Sequence, residues 1–176
     1  RHEYKYLREV LQYDPNVEVV SLVQIAANLF YQQGTIADVK LNGPPKDYDT
    51  LKQFKTLIIG SLDSSAFSNE QMQFVQRFVK EGGGLMMIGG EFSFGPGGYG
   101  GTPIEEALPV VCGGREIGQE REPFSPALTE AGKRHPIFAG IAEFFAEGGK
   151  EGVTIPPLLG CTRVEKAKPA ADVLAV

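Results

Sequence analysis

Two short apolar runs, residues 56–60 (TLIIG) and 85–88 (LMMI), flank one amphipathic helical pattern, and this succession restricts the fold more than any other feature. Continuous apolar runs of this length suit strands buried on both faces of a parallel sheet. Between them, Ser68 stands three residues before Gln71, the spacing of a capping box. Met72, Phe74, Val75, Phe78 and Val79 then recur at helical spacing, and Gly82 is placed to end the helix. Strand, helix and strand with short joints form a βαβ unit, which demands a parallel pair with a right-handed crossover.

The rest of the chain is read around that unit. Residues 3–13 carry Tyr4, Leu7, Val10 and Leu11 on one helical face, and Asp14-Pro15-Asn16 stops the pattern. Residues 17–25 (VEVVSLVQI) read as a strand, 26–45 as mostly loop, and 48–54 as room for a short helix. Thr102-Pro103-Ile104-Glu105 is a second helix start, with a cap, a first-turn proline and an acid for the free amides. Residues 108–111 read as a further strand, 113–126 as irregular, and 144–153 as a mobile Gly/Glu/Lys-rich stretch. The expected architecture is a single α/β domain over residues 1–176, with a mainly parallel, flavodoxin-like sheet and helices on both faces. Arg1 opens directly into a helical pattern and residues 173–176 close as a strand, so the chain reads as a piece of a longer protein.

Charge and hydropathy narrow the partners. The net charge is −5 without a Lys/Arg cluster, so no basic stripe for nucleic acid is present. The apolar runs fall far short of the roughly 18 residues that span a bilayer, and no membrane contact by this segment is expected.

The chemistry-bearing candidates gather after the second strand, where open α/β sheets bind ligands. Residues 89–101 (GGEFSFGPGGYGG) run from that strand into the helix start at Thr102. The segment from Gly95 to Gly100 contains GxGxxG, but the loop is too long for a dinucleotide fingerprint and Pro96 lacks an amide for phosphate. No cofactor is implied. Gly89, Gly90, Glu91, Ser93, Gly97, Gly98 and Thr102 are the candidate ligand residues, and a small anion is one ligand their amides could hold. The same glycines could serve only tight turns. Asp63 and Glu91 each follow a parallel strand, where two carboxylates could hold a metal or share a proton. Solvated loop acids are the plainer reading of both. Ser61, Ser64, Ser65 and Ser93 lie near this edge, none in a GxSxG elbow. Cys112 and Cys161 form no CxxC, and Cys112 with His135, apart from Cys161 with His135, is the thiol–imidazole pair to consider. Against it, Cys112 follows Pro109-Val110-Val111 rather than a sharp strand-to-helix turn, and His135 precedes Pro136 in a turn of its own.

Residues 1–8 (RHEYKYLR), 14–19 (DPNVEV), 30–34 (FYQQG), 78–85 (FVKEGGGL), 93–99 (SFGPGGY), 102–110 (TPIEEALPV) and 135–137 (HPI) carry a family likeness. With them the chain resembles class I glutamine amidotransferase-like domains of the flavodoxin-like superfamily. The particular subgroup occurs inside large bacterial membrane-anchored proteins, often beside von Willebrand factor A-type domains. The resemblance implies a further strand before Arg1, continuation past Val176, and an extracytoplasmic place in a membrane-anchored parent protein. It also implies where a nucleophile would sit. Active members carry Gly-x-Cys-x-Gly after the strand that here is 85–88, and a late His-x-Glu pair. This chain has Ile88-Gly89-Gly90-Glu91-Phe92 there, and His135 is followed by Pro136-Ile137. The expectation is a non-catalytic domain that binds a partner domain, another protein or a small ligand. A hydrolase or transferase using Cys112 with His135, or Asp63 and Glu91 with a metal, is the alternative. A structural spacer is the third.

Overall fold

The computed structural model describes residues 2–34, 36 and 39–176. The expected βαβ unit is its centre. Strand β3 (Thr56–Ile59) pairs in parallel with β4 (Gly84–Met87), residue 56 opposite 84 through 59 opposite 87. Between them runs α3 (Asn69–Lys80). Its start has the full capping box: the Ser68 hydroxyl accepts the Gln71 amide, and the Gln71 side chain accepts the Ser68 amide. Its end is a left-handed turn at Gly82, φ 97°, with the Gly82 amide on the Val79 carbonyl and the Gly83 amide on the Phe78 carbonyl. Met72, Val75 and Phe78 are the buried face of α3. Each such side chain contributes about 1.5–3 kcal/mol by leaving water.

On the inner side of the parallel pair, Leu57, Ile59, Leu85 and Met87 join that core. Its other members are Leu51 from α2 (Tyr48–Leu51), Ile104 from α4 (Pro103–Ala107), and Tyr99, Leu108 and Cys112. Period-two alternation places Ile58 and Met86, which are register partners, on the opposite side. They are 37% and 48% exposed, so this side of the pair lies open rather than under a helix.

One expectation is corrected, and one is met in part. The first concerns residues 26–45, read as mostly loop. Strand β1 (Val20–Ala26) turns back at Ala27-Asn28 into β2 (Leu29–Gly34), making an antiparallel hairpin. Asn28 supplies the turn with φ 57°, a conformation that asparagine tolerates better than other residues with a side chain. The helix α1 (His2–Tyr13) rests on this hairpin through Tyr4, whose hydroxyl reaches Ser21 Oγ at 2.9 Å and Gln33 Oε1 at 2.5 Å, and through Arg8, which donates to the same Gln33 oxygen.

The α/β class is met, and of the mainly parallel sheet one parallel pair is seen. Among the described residues β3–β4 is the parallel pair, and the other pairings are antiparallel. Besides the hairpin these are β5 (Val110–Val111) with β8 (Lys166–Ala167), and β6 (Gln119–Glu120) with β7 (Cys161–Thr162). The last four residues do not form a separate strand but run beside residues 127–129, with paired bonds between Ala127 and Val176. That contact brings α5 (Glu130–Arg134), capped by Thr129, against the chain end.

Candidate functional site

β4 ends at Met87, and residues 88–102 fold back on themselves at the carboxyl end of the parallel pair. Three side chains fasten this loop to the segment leaving β3. The buried Ser93 hydroxyl donates to the Ile88 carbonyl at 2.6 Å and lies 3.3 Å from that of Gly60. The Ser64 hydroxyl donates to the Gly98 carbonyl, and the fully buried Tyr99 donates to Leu62 O.

Several of the loop's amides are used within it. The N–H groups of Ser93, Gly97, Gly98, Tyr99 and Thr102 donate to loop carbonyls, and that of Gly101 donates to Glu105 Oε2 at 2.6 Å. Glu105 is a strut: its other oxygen accepts the Cys112 amide at 2.6 Å, tying the loop to the end of β5. A carboxylate already occupies the helix start where an anion would sit. The glycines answer to packing. A Cβ on Gly95 would lie 2.6 Å from the Cys112 carbonyl oxygen and 2.7 Å from that of Gly114. Gly98, at φ 75°, faces the Arg115 guanidinium, which would be 2.3 Å from its Cβ. Between this loop and residues 111–115 lies a shallow groove of about 370 Å³.

The turn Gly89-Gly90-Glu91-Phe92 is clasped from two sides. The Gly90 amide donates to Thr162 Oγ1 at 2.8 Å, and its carbonyl accepts from Gln119 Nε2 at 3.1 Å. Thr162 and Gln119 are register partners on β7 and β6. On the far side the Phe92 amide donates to Ser61 Oγ at 3.1 Å. A Cβ on Gly90 would meet Ser61 Cβ at 2.7 Å, so the position has no room for a side chain. Glu91 and Phe92 project outward, Phe92 with 44% of its surface exposed. The strained left-handed residue of this region is Phe94, φ 51°, rather than a residue at the tip of the turn.

The remaining sequence candidates sit in different surroundings. Asp63 caps the turn Ser64–Ala66 through the Ser65 amide and holds Arg115 with both oxygens, at 2.7 and 3.2 Å. The Arg115 guanidinium, with the Ser65 bonds, holds the Asp63 carboxyl down at about 2. Arg115 also donates to the Pro96 carbonyl, so the pair latches the loop to β3. Asp63 is thus engaged by Arg115, whereas Glu91 is exposed. Cys112 is fully buried in the core, and burial, with the Glu105 carboxylate beside it, pushes its thiol up to about 12. His135 is exposed; its Nδ1 accepts the Ile137 amide at 3.2 Å and caps the turn Pro136–Phe138. The two share no hydrogen bond. Thr102 caps α4 through the Glu105 amide. Thr162, Gln119 and Arg115 were not legible as site residues. Thr162 lies 72 positions from the glycine it holds, and nothing in its local pattern marks it.

A glycine turn at the carboxyl end of a parallel strand, entered from a βαβ unit and leaving toward a helix, stands where open α/β sheets generally bind ligands. The family described as "Putative glutamine amidotransferase" (GATase1-like) matches residues 55–176, and the chain belongs to this glutamine amidotransferase-like family. A solved cytoplasmic protein from Salmonella typhimurium superposes with a TM-score of 0.59 at 19% identity, over 90% of this chain and 74% of that one. That likeness concerns the fold alone. No curated protein matches the chain.

Proposed function

We propose that the chain is a non-catalytic amidotransferase-like domain that serves as a binding module of a larger, envelope-associated protein. The observation that carries this reading is the turn after β4. At the place where the resemblance puts a cysteine nucleophile, the chain has Gly90, with no space for a side chain, and the solvent-facing carboxylate Glu91. The one buried thiol, Cys112, is held in its protonated form, and a thiol is a poor nucleophile beside its thiolate. While Cys112 stays protonated it offers glutamine no route to a thioester.

In this reading β3 and β4 belong to a parallel, flavodoxin-like sheet with helices on both faces. The apolar Ile58–Met86 side fits that arrangement, since parallel sheets are ordinarily covered twice. The binding edge is formed by Gly89, Gly90, Glu91 and Ser93, with Gly97, Gly98 and Thr102 supporting it. Because several loop amides are already engaged and Phe92 is exposed on the turn, a protein partner meeting Glu91 and Phe92 suits the edge better than a small anion. The membrane-anchored parent with von Willebrand factor A-type domains rests on the family resemblance.

Hydrogen exchange tests the module. Residues 89–94 should exchange at least about tenfold more slowly in the whole parent protein than in the isolated domain, and Phe92→Ala should remove that difference without changing the fold. Equal exchange of these residues in both settings contradicts the proposed edge.

A further inference from the structure

We draw no further inference here: the strongest candidate, the open face of the parallel pair where Ile58 and Met86 stand side by side, carries nothing because nothing in the structure shows what covers it.

Discussion

Cys112 and Cys161 are the same residue type in opposite surroundings. Cys112 lies in the core with Tyr99 and Ile104, whereas Cys161 is exposed on β7. A thiol-specific reagent at pH 8 should therefore modify Cys161 at once and Cys112 only on unfolding; prompt labelling of both would contradict the burial and the raised thiol. The sign of the linkage is the same. A thiol whose folded value is raised to about 12 favours the folded state while protonated, and that contribution falls away as pH climbs above the ordinary thiol range of about 8.5. Asp63 works in the other direction. Its carboxyl is held at about 2, so its stabilisation is complete above the usual aspartate value and is lost as pH falls from about 4 to 2. Asp63→Asn should be less stable than the parent at pH 7 and should converge with it near pH 2. A gap that persists unchanged to pH 2 would show that charge pairing with Arg115 is not its basis. At this scale the sequence was half legible. The glycine loop announced its place, but Asp63 was read as a loop acid without its partner, since Arg115 is 52 residues away.

The elements divide by how local their causes are. α3 was readable because its signals sit within 15 residues: a capping box, one apolar stripe and a terminal glycine. The hairpin was not. Its turn has no glycine or proline, and only the left-handed Asn28 marks it. The clasp on the turn after β4 was less legible still, because β6 and β7 are two-residue strands, too short to show a period. Its importance is testable. Thr162→Val removes the acceptor of the Gly90 amide, which should cost about 1.4 kcal/mol locally and speed exchange of that amide about tenfold. An unchanged rate would mean that the clasp does not hold the turn. Close packing of the loop makes a second claim. Gly95→Ala forces a methyl against two carbonyl oxygens of residues 112 and 114, and should lower stability by about 2 kcal/mol in urea denaturation. Stability within about 0.5 kcal/mol of the parent would show that the loop has slack there.

The whole molecule joins an α1–hairpin unit to a parallel pair whose inner side carries the core. Family membership over residues 55–176 covers the parallel pair, α3 and the whole glycine loop. It also covers the short antiparallel pairs β5–β8 and β6–β7 and the chain to Val176. Composition and periodicity were enough for an α/β reading. They reached one parallel pair and no further, because βαβ logic is local to residues 56–88 and says nothing of how β1, β5 or β8 pair. The proposed function has this domain keep the amidotransferase-like turn without the chemistry. Ammonia release from glutamine by the purified chain, followed beside Cys112→Ala and Glu91→Ala, tests it most directly. The account predicts the background rate for all three proteins. Ammonia release above background that disappears in Cys112→Ala would contradict it, by showing that the buried thiol reaches substrate.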